Sequence, residues 1–287
     1  EICVRHNIST QGSLFSDFQR SLQECYLDFH FQFGKITMSA TFVLSPGRCG
    51  TQWLSQQLQP AGSEASICHE PLHFDYEPVH NSPSQPLNKN PERLIAHLNT
   101  LHDHIRRDKP YLECGFPCWR HLSWFKRELG DEVKVIYIHR NPVENAASLL
   151  KLNAFVPPLL PHMREKQLFH PLAPEALLPE YADCWQQLSP FEKCLYYWAE
   201  VNLQADLYRS MFSSSHWLTI PYLELFNESS LGTIAEFAHI SFKFHPRMLD
   251  RVDQYQGLPQ SPIHSTRIHS HPKILAVASS LGYESEK

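Results

Sequence analysis

The sequence predicts an α/β fold, with three layers (α/β/α) around a mostly parallel central sheet. Three observations carry this. Short apolar, β-rich runs alternate along the chain with segments whose apolar residues recur at three- and four-residue spacing. Two of the strand-like runs empty straight into a helix start through a short turn bearing an arginine, Arg48 in one and Arg140 in the other. A chain of 287 residues, 42% hydrophobic, can bury one full core and shows no internal repeat.

In order, Ala40–Ser45 reads as a buried strand, and Thr51–Leu58 as the helix after its glycine turn. Ser66–Glu70 is a short strand ending in polar residues, and Pro78–Pro91 a proline- and asparagine-rich loop. Leu94, Ile95, Leu98, Leu101 and Ile105 space a helix over Glu92–Arg107. Tyr111–Phe116 is another short strand. Leu122–Leu129 is a helix closed by Gly130. Val133–Ile138 is the strongest strand pattern. Asn141 as N-cap, Pro142 at N1 and Glu144 at N3 then open a helix with a variant capping box. Residues 154–190 hold many prolines and little periodicity, the pattern of a mobile or lid-like stretch. Phe191–Met211 is a long helix, with Tyr196, Tyr197 and Trp198 in its core. His216–Pro221 is a last strand and Leu231–Ala238 a further helix. Residues 1–37 read as an extension of uncertain structure, and 38–287 as a single domain.

Composition narrows the function classes. A net charge of −5 gives no broad nucleic-acid surface. No apolar run is long enough for a transmembrane helix. The eight cysteines form no CxxC pair and the eighteen histidines no metal-ligand spacing, so the cysteines read as reduced core thiols and no metal is expected. No signal peptide is visible and the sequons at Asn7 and Asn227 decide nothing, so the expected compartment is cytoplasmic, with a secretory lumen as the alternative.

The two arginine turns carry the chemistry. A strand, a glycine turn and a helix N-terminus together present backbone N–H groups to a phosphate or sulfate. The first turn, Ser45-Pro-Gly-Arg-Cys-Gly50-Thr-Gln-Trp53, lacks the Gly-Lys-Ser/Thr of an ATPase loop. The second puts Arg140 at the carboxyl end of a central strand, where ligands bind in open α/β sheets, with Ser148 two helical turns further on. An arginine fork with a hydroxyl suits a phosphate monoester. Taken alone, the second could instead be an arginine pairing a neighbouring carboxylate and a serine packed in a helix. Two such turns in one chain fit a ligand with phosphates at both ends.

The pair resembles the two cofactor motifs of sulfotransferases that use 3′-phosphoadenosine 5′-phosphosulfate (PAPS), within the P-loop NTPase/sulfotransferase-like folds. The first motif is matched by Arg48-Cys49-Gly50-Thr51-Gln52-Trp53-Leu54, and the second by Arg140-Asn141-Pro142 through Ser148. Trp217–Leu225, Ile234–Ile240 and Leu281-Gly-Tyr283 are weaker echoes, so the resemblance spans about residues 40–287. Cys49 stands where the family has serine, Gln52 where it has threonine or serine, and Arg48 where cytosolic members have lysine. The Cys49 change puts one hydroxyl contact in question.

The resemblance implies sulfuryl transfer from PAPS to a hydroxyl or amine of a small-molecule or carbohydrate acceptor, leaving 3′,5′-bisphosphoadenosine and requiring no metal. It implies that Arg48, Cys49, Gly50, Thr51, Gln52 and Trp53 hold the 5′-phosphosulfate, that Arg140 and Ser148 hold the 3′-phosphate, and that Tyr222 approaches the adenosine. Arg48 would also stabilise charge on the bridging oxygen. For the base, Glu70 in Ile67-Cys-His-Glu-Pro71 leads, followed by His69, the alternative being an ion pair of Glu70 with a site arginine and a packed His69; Glu113 is third and reads better as a structural residue at a strand end. Arg267, among His264, His269 and His271, reads as a solvated loop arginine with phosphate contact as the alternative; His102 and His104 share no helix face for a metal. The competing readings are a P-loop small-molecule phosphotransferase and a non-catalytic relative kept as a binding module. Acceptor identity and oligomeric state are not encoded legibly.

Overall fold

A computed structural model describes residues 39–59, 65–72, 91–115, 121–156, 169–241 and 265–283. The extension over 1–37, most of the 78–91 loop, residues 157–168 and His264 lie outside the described residues. Five strands form one sheet: β1 (Ala40–Leu44), β2 (Ser66–His69), β3 (Tyr111–Cys114), β4 (Val133–His139) and β5 (Trp217–Pro221). Their order is β2-β3-β1-β4-β5, and every neighbouring pair is parallel. The α/β expectation is met, and the strand expected over 111–116 ends at Cys114. Parallel pairing sends every strand's carboxyl end to one edge, and β1, followed by the glycine turn, lies at the centre.

Among the described residues the α-helices are α1 (Thr51–Leu58), α2 (Pro91–Arg106), α3 (Leu122–Leu129), α4 (Pro142–Leu150), α5 (Pro190–Arg209), α6 (Glu228–Phe237) and α7 (Pro272–Ser280). Strand alternation divides them into two outer layers. On one face Phe42 and Leu44 of β1 and Val133, Val135 and Tyr137 of β4 share a core with α2, α3, α4, α5 and α7. On the other, Val43, Ile136 and Ile138 pack with Leu54 and Leu58 of α1 and Leu231 and Ile234 of α6. Phe42 stacks on Phe125 with ring centroids 5.0 Å apart. Each such fully buried large apolar side chain contributes roughly 1.5–3 kcal/mol.

Helix α5 is buried on nearly every side, as a helix without a polar face must be. Tyr196, Tyr197 and Trp198 are core residues, as the sequence predicts. Buried Glu200 accepts hydrogen bonds from the Leu177 and Leu178 amides and the Tyr196 hydroxyl, and burial raises its pKa. A reciprocal capping box, Ser189 with Glu192, starts this helix.

Two local expectations differ from what is observed. Asn141 caps α4 through the Val143 and Glu144 amides, but the Glu144 carboxylate turns to Arg140 Nε at 3.2 Å rather than back to the cap. A guanidinium one residue before the cap offers a stronger, charge-assisted partner than the cap amide. The described part of the expected lid, 169–190, is anchored: Phe169, Leu178, Tyr181 and Trp185 are buried. Aromatic anchors spaced by prolines hold a segment without giving it a period.

Candidate functional site

The site lies along the carboxyl edge of the sheet. After β1, Gly47, Arg48 and Gly50 have φ of 79°, 55° and 77°. Turns that contain left-handed residues can bring successive N–H groups together on an anion. Glycine suits two of these positions, while Arg48 holds a conformation unfavourable to a side-chain-bearing residue. At Gly50 there is also no room: a Cβ would stand 2.9 Å from Leu225 Cδ2. Thr51 starts α1, and the Gly47 amide donates to Ser45 Oγ at 3.2 Å.

The second turn folds against the first. Arg140 Nη1 donates to the Arg48 carbonyl at 2.9 Å, and Arg48 Nε donates to Ser148 Oγ at 3.0 Å. Arg140 also pairs with Glu144 and lies over the Tyr222 ring, 4.1 Å from its centroid. Trp198 Nε1 donates to the Arg140 carbonyl at 2.9 Å, so α5 braces the backbone of this turn. Tyr222 is fixed by its amide, which extends the β4–β5 ladder to the His139 carbonyl at 2.8 Å. Tyr222, Phe226 and Trp53 form a run of ring contacts, at 5.0 and 4.8 Å, beside Gly50. Residues 92 and 100 apart in sequence thus meet in one patch with two guanidinium groups.

Cys49 takes an unforeseen place. Its thiol is fully buried, donates to the Gly47 carbonyl at 3.1 Å, and is pushed up to about 12 by that burial. It is a neutral clasp inside the loop rather than a group facing a ligand. Gln52 is exposed on α1, where its carbonyl accepts from Ser55.

Across the edge, Glu70 follows β2. Its amide donates to the Cys114 carbonyl at 3.0 Å, its φ is 48°, and its side chain is only 6% exposed. Gly115 makes that position possible, since a Cβ there would lie 2.5 Å from Glu70 Cγ. His69 Nε2 is 3.7 Å from Glu70 Oε1 and 3.3 Å from Thr51 Oγ1, so it bridges the base candidates to the start of α1.

Glu113 stands elsewhere. It is 2% exposed, with His97 Nε2 at 2.9 Å and the Tyr111 hydroxyl donating to it at 3.1 Å. Cys68 joins through Tyr111 at 3.1 Å. Alternation puts Tyr111 and Glu113 on the face covered by α2, which makes this cluster a polar staple between β3 and α2. Arg267 pairs with Glu192 at 3.5 Å, beside His271 at 3.4 Å, at the start of α5. Tyr283 Oη lies 2.8 Å from His139 Nδ1, and burial lowers the His139 pKa.

Ser45, Asn145, Gly115 and Trp198 belong to the site's framework, a role that sequence reasoning does not assign to them. Only Gly115, just beyond a strand end, carried a local signal. Among the described residues, no helix is long and apolar enough to cross a membrane, and no group of three or more His, Cys, Asp or Glu is gathered to hold a metal ion.

No family model and no curated protein matches the chain. Among solved structures, it is similar to a sulfotransferase domain from the curacin biosynthetic pathway, at 14% identity and TM-score 0.49, covering 87% of this chain and 99% of that one. It is also similar to a sulfotransferase from Alicyclobacillus acidocaldarius, at 15% identity and TM-score 0.49, covering 88% and 98%. A third is a mouse sulfotransferase, SULT7A1, complexed with PAP, at 16% identity and TM-score 0.40, covering 86% and 84%.

Proposed function

We propose that this protein is a PAPS-dependent sulfotransferase acting on a hydroxyl or amine of a small-molecule or carbohydrate acceptor. The observation that carries the reading is the hydrogen bond from Arg48 Nε to Ser148 Oγ, which joins the two anion-type turns into one continuous surface. The residues present suit a doubly phosphorylated nucleotide. The loop 47–50 has the backbone of an anion nest, Arg48 and Arg140 supply positive charge, and Trp53, Tyr222 and Phe226 supply aromatic surface beside it.

The donor supplies an activated sulfuryl group, which carries less negative charge than a phosphoryl group and so needs less counter-charge. Arg48 and the amides of residues 48–53 hold the 5′ end and stabilise charge building on its leaving oxygen. Arg140 and Ser148 hold the 3′-phosphate, and Tyr222, stacked on the Arg140 guanidinium, approaches the adenosine. Glu70 takes the acceptor proton on its carboxylate. Its burial beside His69 limits water around it, and the backbone bond to Cys114 fixes where it stands. His69 orients Glu70 and links it to Thr51. Most of the protein's contribution is position and electrostatics.

The test is thermal stabilisation by 3′,5′-bisphosphoadenosine against ATP with magnesium. Saturating bisphosphoadenosine is expected to raise the melting temperature, and ATP with magnesium to leave it unchanged. The reverse pattern would assign the chain to phosphoryl transfer. Binding of bisphosphoadenosine without sulfate transfer from PAPS to a broad acceptor panel would assign it to the binding modules.

A further inference from the structure

Asn145 occupies a core position on α4, flanked in sequence by Ala146 and fully buried. Its Nδ2 donates to the Gly47 carbonyl at 2.8 Å and reaches Cys49 Sγ at 3.7 Å. The Gly47 carbonyl can only accept, so the amide's donating end must face the loop. Its Oδ1 is buried without a hydrogen-bond partner. An unsatisfied buried acceptor costs stability that a leucine of similar size would not. The side chain thus leaves one acceptor orphaned while its Nδ2 ties down the Gly47 carbonyl, and that tie acts on the loop.

Residues 47, 48 and 49 are each tied to the β4–α4 segment: Gly47 and Cys49 by Asn145, Arg48 through Ser148 and Arg140. In the donor reading, on which this inference rests, Arg48, Arg140 and Ser148 must turn their polar groups to phosphate. The Asn145 tie is buried beneath them and needs no rearrangement when an anion arrives. Cys49 complements it, since a neutral thiol accepts the second Nδ2 contact without adding charge.

We propose that Asn145 is a positioning residue that couples the two phosphate ends. It locks the 47–49 loop to α4, so that one preset spacing meets both phosphates of a single nucleotide. Each end alone could adapt to one phosphate without this lock. Two phosphates joined through one nucleoside demand a fixed distance, and pre-organising that distance supplies affinity that neither end supplies alone.

The experiment compares wild type with Asn145→Leu, and with Asn145→Ala should leucine not fit. Titrations use 3′,5′-bisphosphoadenosine, adenosine 5′-phosphate and adenosine 3′-phosphate, with melting temperature measured alongside. Bisphosphoadenosine affinity is expected to fall about 10- to 30-fold, and each singly phosphorylated nucleotide less than about threefold, in a protein whose melting curve stays cooperative. An equal loss for all three, or none, overturns the coupling. Amide hydrogen exchange on the ligand-free proteins judges the lock separately. Exchange at residues 47–50 is expected to quicken in the variant while β1 stays protected, and unchanged exchange there overturns the proposal. Should wild type show no preference for the bisphosphate, the donor reading fails and exchange alone decides the lock.

Discussion

The two halves of the sheet's carboxyl edge are built on opposite plans. On the β1–β4 side, two arginines and a left-handed turn are cross-linked by bonds between residues 92, 98 and 100 positions apart. On the β2–β3 side, an imidazole ends a short strand and a carboxylate follows it, and Glu70 stands in a left-handed conformation with its space left by Gly115. One half is cationic and stiffened by polar ties, as grip on an anion requires. The other is anionic and set by backbone pairing and close packing, as a proton acceptor kept apart from solvent requires. In the proposed reading, this separation along one edge, with β3 between the two halves, assigns donor binding and acceptor deprotonation to different residues.

If the halves are separable, breaking one should spare the other. Glu70→Gln is expected to lower turnover by about 10²–10⁴ while bisphosphoadenosine affinity, read by calorimetry, stays within about threefold. Wild-type turnover in this variant would remove Glu70 as the base, and a large loss of nucleotide affinity would erase the division itself. Gly115→Ala approaches the same half through packing. A methyl 2.5 Å from Glu70 Cγ must displace that side chain, and misplacement by about 1 Å can cost on the order of 10² in rate. Turnover is expected to fall with nucleotide affinity kept; unchanged turnover would mean that the position of Glu70 is not critical.

Arg140→Ala probes the cationic half. It is expected to weaken bisphosphoadenosine by about 10- to 100-fold, the value of a charge-assisted contact, and adenosine 5′-phosphate far less. Equal weakening of both would contradict the placement of Arg140 at the 3′-phosphate. The smallest effect belongs to Cys49. Because burial holds its thiol near 12, alkylation at pH 8 is expected to modify exposed Cys184 and to leave Cys49 untouched in the native protein, as read by peptide mass mapping. Rapid labelling of Cys49 would show that the loop opens, weakening the picture of a stiff half.

Much of this was legible in the chain. Glycine turns, an Asn-Pro helix start and an apolar Val133–Ile138 run are local patterns, and local patterns survive folding because they reflect backbone preferences and strand or helix periods. They gave the α/β class, the two turns and the residues at their tips. The burial of Glu113 was harder to read, because it depends on which face of β3 meets α2. The inward thiol of Cys49 was equally hidden, since a buried and an outward cysteine share one letter. The buried aromatics of 169–190 carry no periodic signal, because they pack by position in space rather than by period.

By itself, then, the sequence determined the strand–turn–helix units and placed Arg48, Arg140 and Glu70 at strand ends. Only the tertiary structure decided that Arg48 meets Ser148, that Asn145 holds Gly47, and that Gly115 makes room for Glu70. The reason is range. Backbone preference acts over a few residues, whereas these contacts exist only once parallel register brings strand ends dozens of residues apart onto one edge.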